Sequence, residues 1–209
     1  MSAPVLGEVV AGRAPDVLSL TVDQYHRMIE QGILREGAPT ELIDGILVRK
    51  DRSDQGGDPM SHGPRHALTI KRLERLLRPV ESQGRHLHVQ LPITLAPTEE
   101  PEPDLAVVRG DPEDFRNRHP GPADVVAVIE VSDSTLEYDR TTKQRLYAQA
   151  GIAVYWVINL RDGQVEIYDQ PDAAAGRYRA RADHTPGRAV TLAVGAAPLN
   201  VAVNDILPP

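Results

Sequence analysis

Three acids stand where an acid is locally costly: Glu41 opening the run Leu42-Ile43-Asp44-Gly45-Ile46-Leu47-Val48, Asp104 heading Leu105-Ala106-Val107-Val108, and Glu130 near the end of Val125-Val126-Ala127-Val128-Ile129-Glu130-Val131. A carboxylate placed in a sheet needs compensation, and a divalent cation is a strong compensator. Acids converging on one point would form a Mg2+ or Mn2+ site, whereas each acid alone reads more simply as a strand-end group making a cap or an ion pair. Lys143 follows Glu130 by thirteen residues, on a helix expected to pack back on the strand that feeds it. Its amine could orient or deprotonate a water and stabilise charge on a phosphoryl oxygen. The simpler alternative is a solvated lysine paired with Asp139, four residues earlier, with Asp139 itself capping the helix. His66, near the start of a basic helix, could touch phosphate or move a proton, and lone histidines are also common as surface or cap residues. Tyr147, one turn after Lys143, either packs over this site or belongs to the core.

The elements that must position these groups follow from pattern. Thr21 with Gln24 reads as a capping box opening a short helix that ends near Gly32. Residues 41–48 read as a strand or as a hairpin bent at Asp44-Gly45. Residues 51–64 are nearly all turn formers and predict a loop that could act as a lid. A helix from about Pro64 to Gln83 puts Ala67, Ile70, Leu73, Leu76, Leu77 and Val80 on one face, with Gly84 as its stop. Strands are expected at about 87–95, 104–109 and 124–131, the last apolar on both faces and therefore central. A helix over 140–150 and a strand over 154–158 complete a strand, helix, strand unit. Arg161-Asp162-Gly163 turns the chain into a strand over 165–168, and 177–194 suggests short edge strands. The expected fold class is α/β (α+β): a mixed β-sheet flanked by helices, with extra antiparallel edge strands. Residues 1–19 read as a loose arm and 20–209 as one domain, because 209 residues suit a single core.

Composition narrows the chemistry. No cysteine occurs, which removes disulfides, thiolate metal sites and cysteine nucleophiles, so any metal is held by oxygen or imidazole. Glycine-rich phosphate loops, two-histidine zinc helices and Gly-x-Ser-x-Gly elbows are missing as well, and no organic cofactor is expected. The formal charge of −7 argues against a general basic coat for nucleic acid. That charge is segregated: over residues 64–86, six cations (Arg65, Lys71, Arg72, Arg75, Arg78, Arg85) face Glu74 and Glu81, giving +4 and leaving 17 basic against 28 acidic residues, or −11, elsewhere. Arg65, Lys71, Arg72 and Arg75 could follow a polyanionic backbone, or simply form a solvated helix exterior. Without an apolar run of membrane length or a signal-like start, the expected location is the cytoplasm, with no membrane partner.

The series Glu41-Leu42-Ile43-Asp44-Gly45, His66, Glu102-Pro103-Asp104-Leu105-Ala106-Val107-Val108, Val128-Ile129-Glu130-Val131-Ser132-Asp133-Ser134-Thr135, Asp139-Arg140, Lys143, Tyr147-Ala148, Ala150-Gly151-Ile152 and Tyr155-Trp156 resembles the Uma-type restriction endonuclease family. That family is a branch of the PD-(D/E)XK nuclease-like superfamily, and the likeness runs over roughly residues 18–205. The resemblance implies a restriction-endonuclease-like core in which Asp104, Glu130 and the main-chain carbonyl of Val131 hold Mg2+ (or Mn2+), with Glu41 completing the acidic cluster. Pro103-Asp104 matches the superfamily's Pro-Asp element. Serine occupies position 132, where the superfamily pattern has lysine, and Lys143 would be the lysine migrated to the adjacent helix. His66 matches a histidine frequent at the family's second helix.

The expected function is that of a metal-dependent endonuclease hydrolysing DNA phosphodiesters, with Asp104, Glu130, Lys143, Glu41 and His66 as catalytic residues. Cutting two strands suggests a homodimer. A catalytically weak or inactive nucleic-acid or protein-binding module of the same fold is the alternative. A hydrolase of small phosphoesters is a third reading, disfavoured by the basic helix.

Overall fold

The computed structural model describes residues 18–49, 63–193 and 197–209. The expected N-terminal arm lies almost wholly, and the 51–64 loop largely, outside the described residues. Helix α1 (Val22–Glu30) opens with the expected capping box: the Gln24 amide donates to Thr21 Oγ1 at 3.2 Å, and the Thr21 amide to Gln24 Oε1 at 2.8 Å. Strands β1 (Thr40–Ile43) and β2 (Ile46–Arg49) form an antiparallel hairpin. Asp44 (φ 52°) and Gly45 (φ 71°) both turn left-handed at its tip, the geometry that Asp-Gly supplies at low cost. A side chain at Gly45 would place its Cβ 2.3 Å from Ser19 Cβ, so that position is closed sterically as well. Backbone hydrogen bonds between Leu42 and Glu100 tie the hairpin to the body of the protein.

Helix α2 (Pro64–Leu77) continues as a 3-10 turn over Arg78–Gln83, shorter as an α-helix than the sequence pattern suggests because Pro79 cannot donate into the ladder. Six strands then make one sheet in the order β3 (Arg85–Val89), β4 (Leu105–Arg109), β5 (Val125–Ser132), β6 (Val154–Asn159), β7 (Gln164–Asp172) and β8 (Arg177–His184). Only the β5–β6 pair is parallel, as a helical crossover requires. β5 is buried along its whole length and sits inside the sheet, as its two-sided apolar pattern predicts. β3 stops well short of residue 95: Gln90 turns to φ 50° and Pro92 follows, its carbonyl bonded by the His88 ring at 3.0 Å.

The crossover helix begins earlier than Asp139. It runs through α3 (Leu136–Tyr138), a π-helical turn (Asp139–Lys143) and α4 (Gln144–Gln149), ending at Gly151 with φ 72°. Asp139 is therefore not the N-cap; it is buried in the helix, where its carboxylate accepts from Ser132 Oγ at 2.7 Å. The region expected to hold short edge strands, 177–194, holds the eight-residue β8 and then β9 (Ala189–Leu192), which pairs with β10 (Leu199–Ala202) beyond it, and a turn of helix, α5 (Val203–Ile206), follows.

Pleating divides the core. Leu105, Val107, Ala127, Ile129, Val131, Trp156 and Ile158 pack towards Ile70, Leu73 and Leu77 of α2. Ala106, Val108, Val128, Tyr155 and Val157 pack towards Leu136, Leu146, Tyr147 and Ala148 of the crossover helix. Glu130, two residues after Val128, shares that second face. No helix among the described residues is long and apolar enough to cross a membrane.

Candidate active site

Register decides where the acids meet. Leu105 pairs with Ile129 across the antiparallel β4–β5 ladder, so Asp104 and Glu130 stand at the same end of adjacent strands. The Asp104 amide donates to Glu130 Oε2 at 3.2 Å, and the Val131 amide donates to Asp104 Oδ2 at 2.8 Å. Val131 is thus drawn in through its main chain while its side chain enters the core against α2. From α2, His66 Nε2 lies 3.1 Å from Asp104 Oδ2. From the hairpin, Glu41 is held by the Glu102 amide at 2.9 Å.

Lys143 joins the hairpin to the sheet. Its Nζ donates to Glu41 Oε1 at 2.8 Å and to Glu130 Oε1 at 3.2 Å, and all three side chains are buried. The alternative of a solvated lysine paired with Asp139 does not hold. A π turn is a costly local geometry that recurs at functional sites, and here it carries both Asp139 and Lys143 inward. Tyr147, on the next turn, donates its hydroxyl to Glu130 Oε1 at 2.7 Å. Tyr155 donates to the Asp139 carbonyl at 3.0 Å.

The electrostatics are those of a site short of positive charge. Burial pushes the Glu130 carboxyl up to about 8; Lys143 opposes the shift, while Asp104, Asp139 and Glu41 add to it. Burial works against the Lys143 ammonium, but Glu130 and Glu41 outweigh it and hold the amine firmly protonated. For His66, burial favours the neutral ring, yet the hydrogen bond and charge of Asp104 carry the balance upward. Burial also raises Asp139, against its bonds from Thr135 and Ser132. With all three carboxylates ionised, Glu41, Asp104 and Glu130 against Lys143 would carry a formal charge of −2, and the raised Glu130 is how the site resists that excess. A hard divalent cation on carboxylate oxygens suits that deficit in sign and in donor chemistry. Lys143 is shared between Glu41 and Glu130, so Asp104, Glu130 and Glu41 are together the carboxylates that could hold such an ion.

The basic residues of α2 are less uniform than their sequence suggests. Arg65 donates to the Leu160 carbonyl at 3.2 Å and Arg72 to the Leu207 carbonyl, so both brace the fold. Lys71 and Arg75 are exposed, with Lys71 bonded to Glu74 at 2.7 Å.

Two further groupings are not among the expected site residues. Glu166 on β7 is bound by Arg140, Asn159, Gln164, Tyr168 and Arg181. Among the described residues, the trio of His, Asp or Glu side chains with ligand atoms mutually within 4.8 Å is His26, Glu100 and His119, not the acidic set around Glu130. An acid alternating with apolar residues could have flagged Glu166, but residues 26, 100 and 119 share no local pattern.

Comparison with known proteins agrees with the resemblance carried by Glu41 to Trp156. The family described as "Uma2: Putative restriction endonuclease" matches residues 22–203. The crystal structure of "a putative nuclease belonging to DUF820" from Anabaena variabilis superposes with a TM-score of 0.62 at 17% identity, covering 90% of this chain and 97% of that one. At that identity the likeness is one of fold. No curated protein matches the chain.

Proposed function

Because the chain belongs to the Uma2 family, described as "Putative restriction endonuclease", we propose that it is a Mg2+-dependent endonuclease cutting DNA phosphodiesters at the Glu130 cluster. The observation that carries this reading is the meeting of Asp104 and Glu130 at one end of β4 and β5, linked through the Asp104 amide at 3.2 Å, with the Lys143 amine held 3.2 Å from Glu130 and 2.8 Å from Glu41, because carboxylates beside a fixed amine are the parts a cation-assisted hydrolysis needs. Asp104 and Glu130, with the main-chain carbonyl of Val131, would hold Mg2+ or Mn2+. When bound, the ion supplies Lewis-acid stabilisation of the negative charge that builds on the phosphoryl oxygens.

The chain's own residues do the rest. Glu41 and Glu130 clamp the Lys143 amine in one place, so it serves as a preorganised donor to the attacking water or to a phosphoryl oxygen. Held protonated, it is unsuited to act as a base. His66, bonded to Asp104, which draws its pKa above the ordinary imidazole value, is the group placed to carry a proton. Water attacks phosphorus in line and the sugar oxygen leaves. Exposed Lys71 and Arg75, with Arg65 and Arg72 alongside, lie on the helix that starts at this site, about 15 Å from first to last at 1.5 Å per residue. That length covers several phosphates of a duplex. Cutting both strands would use a symmetric pair of chains.

A second reading, a non-cleaving nucleic-acid-binding module of the same fold, is favoured by the Lys143 ammonium already neutralising charge between Glu41 and Glu130. Incubating plasmid and linear DNA with Mg2+ or Mn2+ and wild type, Asp104→Ala, Glu130→Ala or Lys143→Ala decides between them. Cleavage by wild type alone is expected. Cutting that survives all three substitutions overturns the site, and DNA retention without cutting by wild type supports the binding module.

A further inference from the structure

A second buried carboxylate lies where three distant segments of chain meet. The Glu100 side chain is 2% exposed, and its Oε1 is 2.6 Å from Nε2 of His26 on α1. Its other oxygen accepts from Thr94 Oγ1, also at 2.6 Å. His119, in the loop between β4 and β5, brings its ring to 5.7 Å from that of His26, at an interplanar angle of 74°. One ligand atom from each of His26, Glu100 and His119 lies within 4.8 Å of the other two. We propose that His26, Glu100 and His119 bind a divalent transition-metal ion of the Zn2+ class, at a site separate from the Glu130 cluster.

The donor set is what selects the ion. Two imidazoles and one carboxylate suit Zn2+ and its neighbours, whereas Mg2+ prefers oxygen throughout. Bonds of about 2.0–2.1 Å would put the two ring centres roughly 5 Å apart, so the observed pair has well under an ångström to close. Thr94 supplies the outer hydrogen bond that typically orients a ligating carboxylate. With three protein ligands, a fourth position is left for water, reached past His26, whose side chain is 38% exposed.

Such an ion would also act on the neighbouring hairpin. The Glu100 backbone pairs with Leu42, next to Glu41, and α1 packs on Leu42 through Val22 and Tyr25. The bound metal therefore staples α1 and the 119 loop to the strand that presents Glu41 to Lys143.

The test uses the full chain stripped with chelator, titrated with Zn2+ by calorimetry and with Co2+ by visible absorption. One tight equivalent with the intense bands of tetrahedral Co2+ is expected, unchanged in an Asp104→Asn, Glu130→Gln double variant. His26→Gln and His119→Gln should each weaken binding at least as much as Thr94→Val, which loses about 10- to 100-fold through the outer shell. Thermal melts of the metal-free variants check that each is folded. Zinc-edge absorption of the wild type, showing two imidazoles, reads the site without any substitution. Absence of tight Zn2+ or Co2+ binding by wild type overturns the proposal, as does binding that both histidine variants retain or that the Asp104, Glu130 variant alone abolishes.

Discussion

Glu130 and Glu166 occupy one row of the same sheet: Glu130 pairs with Val157 across β5–β6, and Val157 with Glu166 across β6–β7. Two strands apart, or about 10 Å, both are buried, and their surroundings drive them in opposite directions. Burial alone would raise Glu166, but bonds from Arg140, Asn159, Gln164 and Tyr168 bring it down to about 2, with Arg181 adding a second guanidinium at 3.2 Å. Glu130 has one ammonium, shared with Glu41, one tyrosine hydroxyl and one amide, among carboxylates that repel it. Burial is common to both, so burial does not distinguish a functional acid from a structural one. The supply of donors does. A carboxylate with a surplus of donors is part of the scaffold; one in deficit within a sheet persists because something else completes it.

The largest expected effect is on cleavage. Asp104→Ala and Glu130→Ala should each lower kcat/KM for plasmid cutting by about 10²- to 10⁴-fold, the usual scale for losing a positioned charge. Glu166→Gln should leave the folded fraction as active as wild type. A Glu166 variant that is well folded and equally dead would erase the distinction between the two acids.

Stability should show the reverse. Glu166→Gln leaves two guanidiniums short of a buried partner and should cost about 3–5 kcal/mol in urea unfolding at pH 7. Glu130→Gln mimics an acid already raised to about 8 and should be close to neutral there. The pH limbs separate them further. Glu130 is raised on folding, so its contribution is fully present below the unfolded value near 4.5 and is lost as pH climbs through 8. Glu166 is depressed, so its contribution is present above 4.5 and is lost as pH falls towards 2. Each substitution to Gln should flatten its own limb and leave the other.

Smaller again is the response to cation. At 100 times its Kd, Mg2+ should stabilise wild type by about 2.7 kcal/mol, read as a rise in Tm. Glu166 variants should keep that increment and Glu130→Gln should lose it. Equal shifts in both would place the ion elsewhere.

Much of the Glu130 side of this comparison is legible in the sequence. An acid inside an apolar strand is conspicuous because its cost is conspicuous, and Pro103-Asp104 with Lys143 supplies the company it needs. Asp139 misleads because Asp before a helical run is ordinarily a cap; nothing local shows that the helix has already begun at Leu136 or that Ser132 and Tyr155 reach into it. Arg140 is visible as a neighbour of Asp139, yet its grip on Glu166 depends on two elements whose docking no periodicity encodes. The His26, Glu100 and His119 cluster is further out of reach, since α1, the segment between β3 and β4 that carries Glu100 and the 119 loop meet only through the fold.

The finest test uses a donor the two glutamates share, a tyrosine hydroxyl. Tyr147 donates to Glu130 at 2.7 Å and Tyr168 to Glu166 at 2.9 Å. Glu166, held near 2, is charged at every working pH, and other donors remain when one is removed. Tyr168→Phe should therefore cost about 1 kcal/mol, flat from mildly acid to mildly alkaline conditions. In metal-free protein Glu130 titrates near 8, so Tyr147 meets a neutral acid below that pH and a carboxylate above it. Hydrogen bonds to a charged acceptor are worth more, so Tyr147→Phe should cost about 0.5–1.5 kcal/mol at pH 6 and about 1.5–3 kcal/mol at pH 9. Paired urea titrations at the two pH values measure this directly. A Tyr147 cost that stays at about 1.5–3 kcal/mol at both pH values would mean that Glu130 is ionised throughout, and with it would go the argument that a cation is what Glu130 lacks.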